Sequence, residues 1–289
     1  MQKLVHQPSA RSRILKERLT EPLHLNLGAV LVAACGSFRA KVAWDLVQRP
    51  HYAYSLLSAA DHARDLGLDR FTAIEFGVAG GEGLINLSLL AKRVTAATGV
   101  DIRIVGFDSG TGMPPPVDWR DHPEYFRAGD FTMDEAGLRA RLTTNCKLMI
   151  GPVNETVPEF LRTSLTPEAP LGFVAFDLDY YSSTRQALAI FKDPDPAKYL
   201  FLPTLYFDDI VLPTYCDWAG ELLAINEFNA EQPMRKIQRY RFLRSRRIFK
   251  NARWIDQIFL LHLFDHPRLS AAHQPRQMQN VYLKQMAPS

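Results

Sequence analysis

Apolar positions along the middle of the chain fall into two alternating rhythms. Short continuous apolar runs occupy 71–76 (FTAIEF), 102–107 (IRIVGF), 147–150 (KLMI), 172–176 (GFVAF) and 204–207 (TLYF). They are unbroken rather than alternating, as expected of strands in a parallel sheet covered on both faces. Between them lie stretches with helical spacing. Residues 49–67 carry Pro50 in the first turn, Leu56, Leu57, Ala60 and Ala63 on one face, and Gly67 past the end. Residues 82–94 place Leu84, Leu87, Ala91 and Val94 together. Helices are also predicted at 134–142, 157–162, 183–191 and 219–229. Repeated strand-then-helix units predict an α/β fold with a doubly wound, mostly parallel, Rossmann-like sheet. After residue 235 the rhythm changes, and 236–244 and 256–264 read as strands of an antiparallel end. Residues 1–48 form an N-terminal extension, whose apolar segment 27–38 reads as a buried helix or strand. Residues 49–289 form the main domain, with 235–289 its divergent C-terminal part.

Composition changes this picture little. The chain has 289 residues, 47% apolar and 22% charged, enough for a real core. A net charge of +3 excludes a global polyanion-binding signal. Cys35, Cys146 and Cys216 share no metal-type spacing, and their odd number argues against a disulfide framework. A reducing, cytoplasmic location is expected. The VAAC before Gly36 is like a lipoprotein cleavage site, but it lies far from Met1 behind Glu17 and Glu21. No run reaches the roughly 18 apolar residues of a membrane span. Residues 235–253 hold nine basic residues and no acidic one. A solvated basic face is the first reading, a site for an anionic acceptor the second, and nucleic acid the third.

Polar residues follow every predicted strand, on the edge where open α/β sheets bind ligands. GVAGGEG follows the first strand, Asp108 and Ser109 the second, GPVNET the third, Asp177 to Asp179 the fourth, and Asp208–Asp209 the fifth. Gly77 and Gly81 allow a tight turn and a close backbone approach. Ala79 occupies the middle place of the glycine pattern, and Asp108 lies 31 positions past Gly77, against about 20 in a dinucleotide fold. Glu75, Asp108, Asp177, Asp208 and Asp209 would repel the diphosphate of NAD. They suit the sulfonium of S-adenosylmethionine better. Neither a Tyr-x-x-x-Lys pair nor a Walker lysine occurs. Asp177, Asp208 and Asp209 at neighbouring strand ends would repel one another unless they share a cation. Hard oxygen ligands point to Mg²⁺, with Ca²⁺ or Mn²⁺ as alternatives. The competing reading is capping, with Asp179 capping the helix near Ser182 and Asp208 or Asp209 closing a turn.

IEFGVAGG, GFDSGTGMP, GDF, GPVNETVP, FDLDYYSST and YFDDI occur in one order along the chain. In this the chain resembles the sugar O-methyltransferases of the macrocin, mycinamicin and novobiocin type, over about residues 50–230. The resemblance implies a class I methyltransferase fold using S-adenosylmethionine and Mg²⁺. It places metal ligands at Asp177, Asp208 and Asp209, and the general base at Asp177. Cofactor contacts fall on Glu75, Gly77, Val78, Gly81, Asp108, Ser109 and Asn154. The acceptor would be a sugar-containing or other small molecule, with a homo-oligomer left open. Two places depart from the family pattern: Leu178 replaces a glycine between the two aspartates, and DPDPAKYLFLP replaces a glycine-rich approach to the last strand. Two other readings stand beside this one. A binding protein could keep the fold without catalysis, which Leu178 permits. A nicotinamide-dependent oxidoreductase is disfavoured by charge and spacing.

Overall fold

The computed structural model describes residues 10–272. Its elements run α1 (Ala10–Leu19), α2 (Leu23–Cys35), α3 (Phe38–Ala43), α4 (Pro50–Asp65), β1 (Arg70–Phe76), α5 (Glu82–Thr98), β2 (Asp101–Asp108), α6 (Glu135–Arg141), β3 (Cys146–Ile150), α7 (Val153–Thr163), β4 (Leu171–Phe176), α8 (Tyr181–Ala187), β5 (Tyr199–Phe207), α9 (Gly220–Glu231), β6 (Arg235–Arg239), α10 (Leu243–Arg246), β7 (Ile258–Leu263) and α11 (Pro267–Ala272). Seven strands form one sheet in the order β3-β2-β1-β4-β5-β7-β6. The first five are parallel, and β7 pairs antiparallel with both β5 and β6. The fold is therefore the doubly wound, mostly parallel sheet with an antiparallel end that the sequence predicts. The reversal of strand order lies between β1 and β4, where such sheets bind ligands.

Each face of the sheet has its own core. Tyr52, Leu56 and Ala60 of α4 and Leu84, Leu87 and Ala91 of α5 cover Phe71, Ile102 and Phe173 on one face. Val157 and Phe160 of α7, Ala187 of α8 and Phe228 of α9 cover Ile74, Phe76, Phe176 and Phe207 on the other. Burial on both faces is what the unbroken apolar runs encode.

Several boundaries move, each for a local reason. α5 runs to Thr98 because Gly99 (φ 78) provides the left-handed residue that ends it. α7 begins at Val153 and accommodates Pro158 internally. The lost hydrogen bond runs toward Asn154, on the exposed side of the helix. β5 starts at Tyr199, and its Pro203 sits where the β4–β5 register shifts. β6 stops at Arg239, where its pairing with β7 ends, and the chain turns into α10 through Phe242 (φ 65). The segment 27–38 lies mainly in the helix α2, but it is not buried. Leu23, Leu27, Val30 and Leu31 are exposed, and Ala29 is the one residue of α2 that is buried. A helix apolar all round can bury only the stripe that meets the body of the protein, here against Trp44.

The basic segment is a solvated face in part: Arg239, Arg241, Arg244, Arg246 and Lys250 are exposed, but two of its arginines are buried. Arg235 is buried, paired with Asp265 and donating to the carbonyls of Phe191 and Asp193. Arg247 is buried against Asp45 at 2.5 Å and also reaches the carbonyls of Val42 and Ala43. Arg18 lies over the Phe249 ring, and Asn251 donates to Glu21. The segment fastens the N-terminal helices to the end of the sheet.

Candidate functional site

Register builds the site. Phe107, Phe76, Phe176 and Phe207 are paired across β2, β1, β4 and β5. Their rings stack in a row, with centroids 4.8, 5.3 and 4.6 Å apart. Successive residues of a strand point to opposite faces. The next residue of each strand therefore leaves the aromatic layer together with its neighbours. Those residues are Asp108, Gly77, Asp177 and Asp208. The ladder continues through them, since Gly77 donates to the Phe107 carbonyl, Asp177 to that of Phe76 and Asp208 to that of Phe176. An apolar row thus fixes the level of a polar one. Burying each ring fully is worth about 1.5–3 kcal/mol.

A cavity of about 690 Å³ opens over this row. Its wall includes Glu75, Gly77 to Gly83, Asp108, Ser109, Thr111 to Pro115, Gly151 to Val153, Asp177 to Asp179, Asp208 and Asp209. The volume is that of a small-molecule site. Of the residues predicted from the sequence, Glu75, Gly77, Val78, Gly81, Asp108, Ser109, Asp177, Asp208 and Asp209 all line it. Asn154 does not: it is exposed on α7, and Gly151, Pro152 and Val153 form the wall there.

The glycine turn is shaped by contact. Gly77 has φ 79, and a Cβ on it would collide with the carbonyl oxygen of Asp177. Only glycine lets the ends of β1 and β4 come this close. Ala79 adopts the left-handed conformation (φ 46) despite its side chain. Arg49, Phe131 and Asp179 also have positive φ and also line the cavity. Such strain persists where the surrounding structure imposes it, and it gathers at functional sites. Asp108 holds the turn, with Oδ2 accepting from the amides of Val78 and Ala79, both at 2.9 Å, and Oδ1 from Gly110 at 2.7 Å.

The three carboxylates of Asp177, Asp208 and Asp209 converge. Each offers an oxygen within 4.8 Å of the others. Their supports come from several elements. Tyr206 donates to Asp208 Oδ1, and Gln257 donates to the Asp208 carbonyl at 2.9 Å. The amide of Asp179 donates to Asp209 Oδ2 at 3.2 Å. The amide of Asp209 donates to the buried Glu221 at 3.0 Å. Burial, followed by repulsion from Asp208 and Asp209, raises the Asp177 carboxyl well above its ordinary range. Burial, then Asp179 and Asp208, does the same to Asp209. Asp179 is pushed up to about 7, by burial first and Asp177 second. Carboxylates that resist ionising together suit a shared hard cation.

Glu75 is 1% exposed. Its Oε1 accepts from Tyr52 at 2.7 Å, while its Oε2 is buried without a partner. Burial raises its carboxyl to about 7. It tucks under the first turn of α5, where a Cβ on Gly83 would strike Oε1. The partial positive charge of the helix start favours an anion there.

Asp179 does not cap α8. Asp121 reaches over from another loop, accepting from the Ser182 amide at 2.8 Å and the Ser182 hydroxyl at 2.9 Å. Leu178 packs against the apolar core and also lines the cavity, between its two flanking aspartates. Sequence reasoning also missed Arg49, Tyr52, Tyr206 and Gln257. The repeated step from Phe to Asp or Gly at four strand ends was the available signal for the common level. No local signal marks Gln257, which arrives from the turn before β7.

No protein-family model matches the chain, and no curated protein does. Three solved structures are similar to it. CalS11, a calicheamicin methyltransferase, is 23% identical over 78% of this chain and 86% of its own, with a TM-score of 0.48. The cmcI-D160 structure with Mg and SAM is 16% identical over 70% and 69%, with a TM-score of 0.37. MycE from the mycinamycin biosynthetic pathway, in complex with Mg, SAH and mycinamycin VI, is 14% identical over 71% of this chain and 48% of its own. Its TM-score is 0.35.

Proposed function

We propose that this protein is an S-adenosylmethionine-dependent O-methyltransferase. Its acceptor is a hydroxyl of a sugar or another small molecule, and Asp177, Asp208 and Asp209 hold a divalent cation, Mg²⁺ by preference. The observation that carries the reading is the convergence of these three carboxylates in the cavity that the β1 glycine turn and Asp108 also line. Charge supports a sulfonium donor over a nicotinamide dinucleotide. Seven acids line the cavity (Glu75, Glu82, Asp108, Asp177, Asp179, Asp208, Asp209), against one cation, Arg49.

The residues fit both groups. The glycine turn lines the cavity with open space beside Gly80, and the three carboxylates supply an all-oxygen donor set. S-adenosylmethionine supplies an electrophilic methyl group, and the cation lowers the pKa of an acceptor hydroxyl. Asp108, beside the turn, keeps one acceptor site on Oδ1 for a ribose hydroxyl, its other three being taken by the amides of Val78, Ala79 and Gly110. Glu75, Val78, Gly81 and Ser109 complete the donor site. Asp177 accepts the proton of the attacking hydroxyl on its carboxylate oxygen. The walls fix the line of approach, and alignment supplies much of the acceleration.

Titration calorimetry with S-adenosylmethionine and with NADH, each with and without Mg²⁺, tests this. Binding of S-adenosylmethionine and not NADH is expected, together with heat from Mg²⁺ that Asp208→Asn removes. Tight NADH binding, or full methyl transfer in excess chelator, sinks the reading.

A further inference from the structure

We propose that the outer face of α2, with the adjoining surface of α1, is an interface through which two copies of this chain pair about a twofold axis. The inference is independent of the methyltransferase reading.

α2 has two apolar faces and uses one of them. Inward, Ala29 is buried, and Gly28 lies so close to Trp44 that a Cβ on it would meet the ring at 2.6 Å. Outward, Leu23, Leu27, Val30 and Leu31 are 62–73% exposed. With the exposed Ala34 they fall at i, i+4, i+7, i+8 and i+11, which makes one stripe along the helix. α1 adds the exposed Ile14, Leu15 and Leu19. Of the fifteen large apolar side chains exposed among the described residues, these two short helices hold seven. Single exposed apolar residues are ordinary, whereas a cluster of this kind marks an interaction surface.

The face is held in place from behind. Arg18 donates to the carbonyls of Trp44 and Asp45 at 2.9 and 3.0 Å. Asn26 ties α2 to α1 by donating to the Arg18 carbonyl at 3.0 Å. Asn251 donates to Glu21 at 2.6 Å and to the Thr20 hydroxyl at 2.9 Å. A face fixed before it meets a partner loses little conformational freedom on binding.

Charge and size select the occupant. No charged residue occurs from Pro22 to Phe38. A surface that meets itself about a twofold brings like charges together, so it must be neutral or internally balanced. This stripe is neutral. A lipid surface matches less well, because helices that lie in a membrane interface carry a basic face opposite the apolar one. Here the opposite face rests on Trp44. The 13 residues of α2 also fall short of the roughly 20 that cross a bilayer. The outer face of α2, about 20 Å by about 10 Å, is smaller than the ~800 Å² that each partner of a stable interface buries. The apolar surface of α1 therefore belongs to the interface too.

Sedimentation velocity on the full chain, across about 1–100 µM, tests this. The wild type should run as a reversible dimer. Leu27→Glu/Leu31→Glu and Leu27→Lys/Leu31→Lys should each run as monomers with an unchanged far-UV circular dichroism spectrum. Like charges brought together should raise each dissociation constant at least about 100-fold. Mixing the two variants should restore a dimer with one chain of each, which requires a face that meets itself. If the charged variants misfold, Leu27→Ala/Leu31→Ala should still weaken the wild-type dimer about 10-fold or more. A wild type that stays monomeric throughout overturns the proposal. So does a dimer that the α2 variants leave intact, or a mixture of folded Glu and Lys variants that stays monomeric. A monomeric wild type that floats with phosphatidylcholine–phosphatidylserine vesicles gives the face to a lipid surface and overturns it as well. Each of these failures leaves the donor-binding reading untouched.

Discussion

The two most charge-dense regions of this protein are built on opposite terms. Along the strand edge, Asp177, Asp208 and Asp209 converge, and none of them has a lysine or arginine ion-pair partner among the described residues. In the segment 235–253, three of the nine basic residues are matched to acids: Arg235 to Asp265, Arg247 to Asp45 and Arg244 to Asp256. From sequence, 235–253 reads first as a solvated basic face, and the aspartates as a cation site with capping as the competing reading. Matching is what separates the two regions. A charge with a buried partner is structural, because removing either member strands the other in low dielectric. Like charges brought together without a partner are held there at a cost to stability, and the cost makes sense if something absent from the chain completes the set.

The largest expected effect breaks the comparison at its acidic end. Asp177→Asn should lower methyl transfer by about 10²–10⁴-fold, the contribution of a general base. It should leave S-adenosylmethionine binding nearly intact and raise the thermal midpoint of the metal-free protein, since it removes a repelling charge. Unchanged turnover in a steady-state assay would remove Asp177 from the chemistry.

Arg247→Met probes the other end. It strands Asp45, and urea unfolding should show a loss of about 3–5 kcal/mol. Turnover per folded molecule should stay within a few-fold. A stable variant with lost activity would move this segment into the site.

Glu75 gives a pH-dependent test. Burial holds its carboxyl at about 7, so the folded chain keeps a proton that the unfolded chain sheds near its ordinary pKa of 4.5. A raised acid pKa means that stability falls as pH climbs through that window, and no further above it. Glu75→Gln should flatten this part of the stability profile in chemical denaturation at pH 5, 6 and 7. Parallel profiles for the two proteins would show that Glu75 titrates normally.

The smallest effect sharpens the comparison within the basic segment. Arg244 and Asp256 pair at half-exposed positions. Arg244→Ala should therefore cost at most about 1 kcal/mol. If it costs as much as Arg247→Met, burial is not what separates the two.

Much of the site was legible because it lies at strand ends that the apolar runs already mark. Gly77, Asp108, Asp177 and Asp208 follow four phenylalanines directly. Arg49 was harder to read. It sat at the edge of what looked like an extension, and a lone arginine before Pro50 also suits an ordinary helix start. The capping of α8 by Asp121 and the anchoring of Asp208 by Gln257 span 61 and 49 residues respectively. Local propensity carries no information over such separations.

By itself the sequence determined the alternation of strands and helices, the coverage of both sheet faces, and the carboxylates at the strand ends. Each of these follows from side-chain period, turn chemistry or residue type, which act over a few neighbouring positions. Only the tertiary structure decided which charges are matched. Pairing depends on register, as when the phenylalanine row brings Asp177 level with Asp208, and on distant segments meeting, as when Arg247 reaches Asp45. Burial changes the meaning of the same side chain: Arg247 became structure, whereas Arg49, with no ion pair among the described residues, lines the cavity with Glu75 and Asp177.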